Sequence, residues 1–249
     1  MNSEARGWSK KASVRLVKEP VIVACAPRSG STLLRAVLGG HSRLHAPHEI
    51  PLAKISAAAS PPARLALGDL GGQDELDYLL WDQLAHQLLA RSGKATLVHK
   101  SPTDVPHWRR LASCWPDARW IFLLRHPGSV LTSWLEATRH GPAASARYLR
   151  GCMDAVSDAR AALPGWTVRY EQLTADPEAV LQDVCGFLGV DFEPAMLHYG
   201  PRHSEWPRGL GDWRDKIRTG AVQPPRPLPA PDLVPELLRP VARDWGYLP

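Results

Sequence analysis

The chain has 249 residues, of which 44% are hydrophobic, and its 30 basic and 25 acidic residues give a formal net charge of +5. That length can bury a sizeable core, and α/β proteins of this size are often one domain, so we expect a single domain over residues 1–249. The charges are interspersed and form no long basic block, which makes nucleic acid a weaker candidate partner than an acidic small molecule.

The cysteine pattern and the length of the apolar runs indicate the cellular compartment. Four widely spaced cysteines form no C-x-x-C pair and lie mostly among apolar neighbours, as reduced core thiols do: Cys25, Cys114, Cys152 and Cys185. Residues 1–19 are polar and charged, and no run of 18 apolar residues occurs anywhere. We therefore expect a cytoplasmic protein without a membrane partner. The sequence pattern indicates no particular oligomeric state.

Short apolar strands alternate with amphipathic helices along the chain. The pattern predicts strands at 21–26, 96–98, 119–124 and 166–169, and helices at 31–39, 74–91, 104–114, 127–138, 143–162, 177–188 and 232–245. The segment 39–72 is rich in glycine and proline, so we expect a loop with short helical pieces there. Strands separated by helices imply right-handed crossovers and a parallel sheet covered on both faces. We therefore predict an α/β fold of three layers.

Residues 27–32, Pro-Arg-Ser-Gly-Ser-Thr, lie between the first strand and the first helix. A helix start presents unpaired backbone N–H groups and about half a positive charge, so it binds phosphate or sulfate readily. The motif lacks the Gly-Lys pair of the Walker loop G-x-x-x-x-G-K-[ST], and Arg28 precedes its glycine instead. The segment therefore predicts an anionic, nucleotide-like ligand bound without a Walker lysine.

Polar residues also follow two later strands. In open parallel sheets, ligands bind beyond the carboxyl ends of the strands. Arg125 follows the strand 119–124 directly, and Ser133 would lie some two turns into the next helix, so one anionic group could bridge the two side chains. Tyr170 follows the strand 166–169, where its ring could stack on a base.

Together these segments resemble the sulfotransferases that use 3′-phosphoadenosine-5′-phosphosulfate (PAPS). The resemblance covers about residues 20–190 in the expected order, through Ala26–Leu34, Ile121–Pro127 with Ser133, and Arg169–Leu173 followed by Asp176-Pro177. It implies a P-loop-like fold with a central parallel sheet flanked by helices, PAPS as the sulfuryl donor, 3′-phosphoadenosine 5′-phosphate (PAP) as a product, and no metal. The arginine at position 28 resembles the tyrosylprotein and several bacterial branches, whereas many cytosolic members have lysine there.

The resemblance assigns the nucleotide-binding residues by position. The residues matching the loop that cradles the 5′-phosphosulfate are Arg28, Ser29, Gly30, Ser31 and Thr32. Those matching the 3′-phosphate pair are Arg125 and Ser133, and Tyr170 matches the tyrosine beside the adenine. The segment 208–214 loosely resembles the C-terminal loop that closes the nucleotide site in many members, which implies roles for Trp213 and Arg214.

The resemblance also implies the catalytic residues. Counting from the Arg-Ser-Gly motif places Glu49 at the catalytic base of the tyrosylprotein-like branch, and Lys100 falls where that branch has a lysine aimed at the transferring sulfuryl group. A base must take the proton of the acceptor hydroxyl while cations stabilise the departing charge, a task that suits Arg28 and Lys100. His48 is the alternative base, because histidine can accept a proton near neutral pH.

The acceptor is the least defined part of the prediction. We expect the irregular segments 50–72 and 195–220 to shape its pocket and lid, followed by a C-terminal linker and helix over 223–249. The Ala-, Arg- and Pro-rich composition is typical of a GC-rich bacterial genome, which favours a small-molecule hydroxyl on a specialised metabolite, lipid or glycan. The alternatives are a P-loop kinase or nucleotide hydrolase and a non-catalytic nucleotide-binding protein.

Overall fold

A parallel sheet of five strands organises the computed structural model, which describes residues 14–199 and 220–249. The strands are β1 Val21–Cys25, β2 Leu44–His45, β3 Thr96–Lys100, β4 Arg119–Leu124 and β5 Gly165–Arg169. They are ordered β2–β3–β1–β4–β5, and every neighbouring pair is parallel. β1 therefore lies at the centre of the sheet, between β3 and β4.

Helices cover both faces of the sheet. They are α1 Ser31–Gly39, α2 Pro61–Leu67, α3 Gln73–Ser92, α4 Trp108–Cys114, α5 Pro127–Leu135, α6 Pro142–Ala162, α7 Tyr170–Ala175, α8 Pro177–Leu188 and α9 Arg239–Asp244. Side chains of α3, α4, α5, α6 and α9 form one core cluster, whereas those of α1, α7 and α8 form the other. Residues of β1 and β4 alternate between the two clusters, as successive side chains of a strand must. The predicted three-layer α/β architecture is confirmed.

The structure departs from the predicted elements at several places. β2 and α7 were not predicted, because two and six residues are too few to show a period. The expected helix over 104–114 divides into a 3-10 turn at Pro102–His107 and α4. The expected helix over 232–245 divides into two 3-10 turns and α9, since Pro235 and Pro240 each lack the N–H that a continuous helix requires.

The strand register brings the predicted site segments to one edge of the sheet. Near the carboxyl ends of three adjacent strands, Val23 of β1 pairs with Lys100 of β3, and Cys25 of β1 pairs with Leu123 of β4. β5 ends beside β4, so Tyr170 follows at the same edge. No helix in the described parts of the chain is long and apolar enough to cross a membrane.

Lys94 fixes the connection between α1 and β2. Its ammonium donates hydrogen bonds to the carbonyl oxygens of Gly39, His41 and Leu44 at 2.8, 2.9 and 2.9 Å. The carbonyl of Gly39 ends α1, the helix whose start carries the Arg-Ser-Gly loop, and the carbonyl of Leu44 begins β2. The side chain therefore acts as a cap for a helix that has no basic residue in its own last turn.

We expect Lys94→Met to lower the free energy of unfolding by about 1–3 kcal/mol, because three carbonyl oxygens lose a charged donor. Urea unfolding followed by circular dichroism measures this. Lys54→Met is the matched control, since that side chain is exposed, and its free energy of unfolding should change by less than about 0.5 kcal/mol. Equal stability of the two variants would contradict the capping role.

Candidate active site

The turn between β1 and α1 has the backbone of an anion cradle. Arg28 and Gly30 lie in the left-handed region, with φ of 67° and 89°. A Cβ at Gly30 would lie 2.1 Å from Cδ2 of the Tyr170 ring, so only glycine fits against that ring. Helix α1 has no acidic residue in its first turn and no side-chain cap, and Ser31 and Thr32 begin it. Its first N–H groups therefore suit an anionic ligand.

A buried hydroxyl in the same turn supports this interpretation. Ser29 has no exposed surface, and among the residues that the structure describes its Oγ has no hydrogen-bond partner. A buried polar atom without a partner costs free energy, and a ligand oxygen would satisfy it. The turn thus fits a phosphosulfate group by its backbone and by one side chain.

The predicted arginines and serine meet around this turn. Nε of Arg28 donates to Oγ of Ser133 at 3.2 Å, and Nη1 of Arg125 donates to the carbonyl oxygen of Arg28 at 2.8 Å. Arg125 also lies over the Tyr170 ring, with Cζ 4.3 Å from the ring centroid. The sequence predicts that Ser133 and Arg125 bind one anionic group, whereas in the structure Ser133 contacts Arg28 directly. All four side chains nevertheless lie in one group.

Arg125 is a partly buried cation whose hydrogen bonding is incomplete. Within the described residues its Nε has no partner. Burial lowers the pKa of Arg125, and the positive charge of Arg226 lowers it further. Arg226 lies in the extended proline-rich segment 223–229 and was not predicted as a site residue. The sequence feature that could have indicated it is a single arginine among the prolines of a C-terminal segment.

Arg226 and Tyr170 also line a cavity of about 300 Å³ beside the cradle. Leu33 of α1 and Tyr199 form other parts of its wall. The cavity therefore combines apolar and aromatic surface with a cation. This combination suits a heteroaromatic ring that carries an anionic group.

Glu49 and Lys100 form an ion pair although they are 51 residues apart. Nζ of Lys100 donates to Oε1 of Glu49. The Lys100 side chain is 0% exposed and that of Glu49 is 26% exposed, so the carboxylate faces solvent while the ammonium does not. Burial lowers the pKa of Lys100, and the negative charge of Glu49 opposes that effect. The structure thus brings the two predicted catalytic side chains into contact.

Two buried charged residues hold the segment around Glu49. The carboxylate of Asp104 accepts backbone N–H groups from Leu52 at 2.9 Å and Ala53 at 3.2 Å. On the other side of Glu49, Arg35 donates to backbone carbonyls of residues 46 and 47. Neither residue was predicted from the sequence. The feature that could have indicated Arg35 is a charged residue within the apolar run of α1, and in the structure this side chain is 1% exposed.

His48, the alternative base, lies in an unfavourable electrostatic environment. Burial lowers its pKa to about 4, and the positive charges of Arg35 and Lys100 act in the same direction while Glu49 opposes them. At neutral pH the ring is therefore uncharged and a weak proton acceptor. The usual advantage of histidine as a base near pH 7 is lost here.

The C-terminal end of the chain reaches the same edge of the sheet. The hydroxyl of Tyr247 donates to Oε2 of Glu171 at 2.6 Å, and Oε1 of Glu171 accepts the backbone N–H of His126 at 3.0 Å. Glu171 thus links the residue after Arg125 to the C-terminal segment. The expected lid residues Trp213 and Arg214 lie outside the described residues, as does most of the segment 195–220.

Comparison with known proteins agrees with this geometry. A profile described as the sulfotransferase family matches residues 20–194. The chain belongs to the sulfotransferase family. The match extends through β1 to α8, so the segments carrying Arg28, Glu49, Lys100, Arg125 and Tyr170 all lie within it. Membership supports sulfuryl transfer as the general activity.

Relatives of this sulfotransferase include bacterial and animal proteins. Protein-tyrosine sulfotransferase 1 of Danio rerio is 25% identical over 203 residues, which cover 72% of this chain and 55% of the relative. Nodulation protein NoeE of Sinorhizobium fredii is 30% identical over 230 residues, covering 76% of this chain and 54% of that protein. The chain thus spans little more than half the length of these curated relatives.

Two solved sulfotransferase domains share the fold over nearly the whole chain. The sulfotransferase domain from the curacin biosynthetic pathway aligns with a TM-score of 0.68 and 23% identity, over 95% of this chain and 100% of that domain. The sulfotransferase domain of the Synechococcus PCC 7002 olefin synthase aligns with a TM-score of 0.62 and 25% identity, over 96% and 100%.

Proposed function

We propose that this sulfotransferase transfers the sulfuryl group of PAPS to a hydroxyl of a small-molecule acceptor and releases PAP. The observation that carries the proposal is the contact between Glu49 and Lys100 at the sheet edge that also holds the Arg28 turn. A carboxylate, an ammonium and an anion cradle are the groups that this chemistry requires.

The residues around the cradle fit the donor. The 5′-phosphosulfate would be held by Arg28, by the N–H groups at the start of α1 and by the hydroxyls of Ser29, Ser31 and Thr32. Arg125 and Ser133 would hold the 3′-phosphate, with Arg226 adding a second positive charge. The adenine would lie beside Tyr170, in the cavity that this ring lines.

The protein's side chains divide the chemistry between proton transfer and charge stabilisation. Bound PAPS supplies a sulfur whose bond to the bridging oxygen of the 5′-phosphate breaks as the acceptor oxygen bonds to it. Glu49 takes the proton of the acceptor hydroxyl, and its partial exposure leaves room for that hydroxyl to approach. Arg28 and Lys100 stabilise the negative charge that develops on the departing oxygen.

The acceptor is proposed to be a specialised metabolite, lipid or glycan. Support comes from the likeness to domains of a curacin pathway and an olefin synthase. We also propose that residues 20–190 form the nucleotide-binding core and that 50–72 and 195–220 surround the acceptor. All four cysteines are buried and free, which supports a reducing, cytoplasmic location.

Ligand-induced stabilisation tests the donor assignment. PAP should raise the melting temperature of the protein in the absence of Mg²⁺, because Arg125 and Ser133 are proposed to bind its 3′-phosphate. ATP with Mg²⁺ should raise it little, because the site has no Walker lysine. At 100 times its dissociation constant, PAP would add about 2.7 kcal/mol. The reverse ranking would favour a P-loop kinase or nucleotide hydrolase.

Transfer of label from ³⁵S-PAPS to a panel of hydroxyl acceptors then tests the activity itself. Labelled product with at least one acceptor is the expected result. PAP binding without transfer to any acceptor would favour a non-catalytic nucleotide-binding protein.

A further inference from the structure

Arg35 is a charged residue on the buried face of α1. It is 1% exposed, and its neighbours Leu34 and Ala36 are fully buried. Burial lowers the pKa of Arg35 to about 9, and the negative charge of Glu49 opposes that effect. A guanidinium is costly to bury, so its retention within an apolar helix face points to a role that an aliphatic side chain could not fill.

The contacts of Arg35 are made with the segment that carries the proposed base. Its Nη1 donates to the carbonyl oxygen of Ala46 at 3.3 Å and to that of Pro47 at 3.4 Å. These two carbonyls immediately precede His48 and Glu49. The guanidinium therefore ties the backbone of this segment to α1, the helix whose first turn forms the anion cradle.

The charge of Arg35 also acts on the groups beside Glu49. Among the described residues, the groups on which the charge of Glu49 acts include Arg35 on α1, Lys100 on β3, Cys25 on β1 and His48 on the same loop. Burial raises the pKa of Cys25 to about 12, so its thiol is neutral, and His48 is neutral at pH 7. Arg35 and Lys100 are therefore the cations of this set.

The single ammonium of Lys100 cannot interact at full strength with Glu49 and with the donor oxygens at the same time. In the proposed reaction Lys100 stabilises charge on the sulfuryl and phosphate oxygens, and its pairing with Glu49 weakens accordingly. Arg35 is hydrogen-bonded to the backbone just before Glu49 and takes no part in the proposed sulfuryl transfer. It supplies a positive charge to Glu49 that does not depend on Lys100.

We propose that Arg35 is a positioning residue of the active site, which fixes the Ala46–Glu49 segment and supplies a positive charge beside Glu49 that remains when Lys100 interacts with the sulfuryl group. The inference rests on the proposed role of Glu49 as base. It assigns to Arg35 both a hydrogen-bonding and an electrostatic contribution, and two variants separate them. Arg35→Gln keeps an N–H donor without the charge, and Arg35→Lys keeps the charge without the planar fork.

Kinetics with PAPS and a hydroxyl acceptor give the first measurement. Arg35→Gln should lower kcat about 10- to 100-fold through misplacement of the base, with PAP affinity within about twofold of the original chain. Arg35→Lys keeps the positive charge and one donor, so it should lower kcat less than Arg35→Gln does.

Lys94→Met is the matched control. Lys94 also ties backbone carbonyls of the α1–β2 connection, whereas the charges that act on His48 are those of Arg35, Lys100 and Glu49. Lys94→Met should therefore lower stability without raising the pKa of His48. If Lys94→Met raises that pKa as far as Arg35→Gln does, the electrostatic role of Arg35 is wrong.

NMR titration of His48 gives a second readout that requires no catalysis. The positive charge of Arg35 helps to lower the pKa of His48 to about 4, after burial, so Arg35→Gln should raise that pKa and Arg35→Lys should not. An active original chain whose kcat and His48 titration are both unchanged in Arg35→Gln would overturn the inference alone. An original chain that transfers no sulfuryl group would overturn the proposed function and this inference together.

Discussion

Replacing Glu49 with glutamine is expected to lower the turnover number by about 10²- to 10⁴-fold, the typical contribution of a positioned base. Glutamine has nearly the same shape as glutamate, and its carbonyl oxygen can still accept the hydrogen bond from Lys100. It cannot take a proton from the acceptor hydroxyl at neutral pH. Initial rates of sulfate transfer at saturating PAPS and acceptor measure the loss.

Donor binding should survive this substitution. Glu49 contacts Lys100, whereas the proposed nucleotide ligands lie on the β1–α1 turn and at the end of β4. Calorimetric titration with PAP should therefore give a dissociation constant within a few fold of the original value, a change below about 1 kcal/mol. A large loss of PAP affinity would show that Glu49 supports the donor site rather than the proton transfer.

Two controls make the base assignment decisive. His48→Asn tests the alternative base and should retain most of the turnover, because the ring is a weak proton acceptor in its environment. Glu178→Gln on α8 removes an exposed carboxylate and should leave the rate unchanged. If Glu49→Gln keeps the full rate while His48→Asn loses it, the histidine is the base.

The elements that frame the site could be predicted because their signals are local. The apolar run before Arg28 and the run before Arg125 are bounded by turn residues, and both form central strands as expected. The helix after the first run begins at Ser31, as expected from the position of Gly30. Each of these features depends on a few consecutive residues.

The contacts within the site depend on tertiary packing, which a single sequence does not encode locally. Glu49 and Lys100 meet because the two residues of β2 pair with the start of β3 and place the following loop beside the end of β3. β2 is too short to show an alternation, so its pairing could not be foreseen. The position of Glu49 came from the family resemblance instead.

The residues that support the site were missed for a related reason. Arg35 lies in an apolar helix and Asp104 in a short 3-10 turn, and neither belongs to a recognised motif. Their roles become visible only through hydrogen bonds to the backbone on either side of Glu49. An isolated charge at an apolar helix position can reveal such a residue, but it does not show which segment the charge holds.

Arg125→Ala is expected to weaken the binding of PAP by about 10- to 100-fold, since hydrogen bonds to charged groups contribute about 1.5–3 kcal/mol. Arg125 is positioned for this by its stacking on Tyr170. Within the described residues its Nε has no hydrogen-bond partner, so it is available to a phosphate oxygen. Calorimetric titration measures the loss. At saturating PAPS the turnover number should fall less than the affinity does, because Arg125 follows β4, which β1 separates from β3 and its Lys100.

The same substitution has a second possible route to weaker binding, and a comparison of ligands separates the two. Arg125 donates to the carbonyl oxygen of Arg28, so its removal could loosen the phosphosulfate turn instead of the 3′-phosphate site. Adenosine 5′-phosphate lacks the 3′-phosphate but uses the same turn. If Arg125 holds the 3′-phosphate, Arg125→Ala weakens PAP strongly and adenosine 5′-phosphate by less than about threefold, a difference near 1 kcal/mol or more.

Arg119→Ala supplies the control on the same strand. Arg119 begins β4, at the edge of the sheet opposite the site, and pairs with Glu19 at 2.6 Å. Its loss should leave the affinity for both nucleotides unchanged. Equal weakening of PAP and adenosine 5′-phosphate by Arg125→Ala would assign the side chain to the turn. In that case Arg226 would become the leading ligand of the 3′-phosphate, because it places a second positive charge near Arg125 from the C-terminal segment.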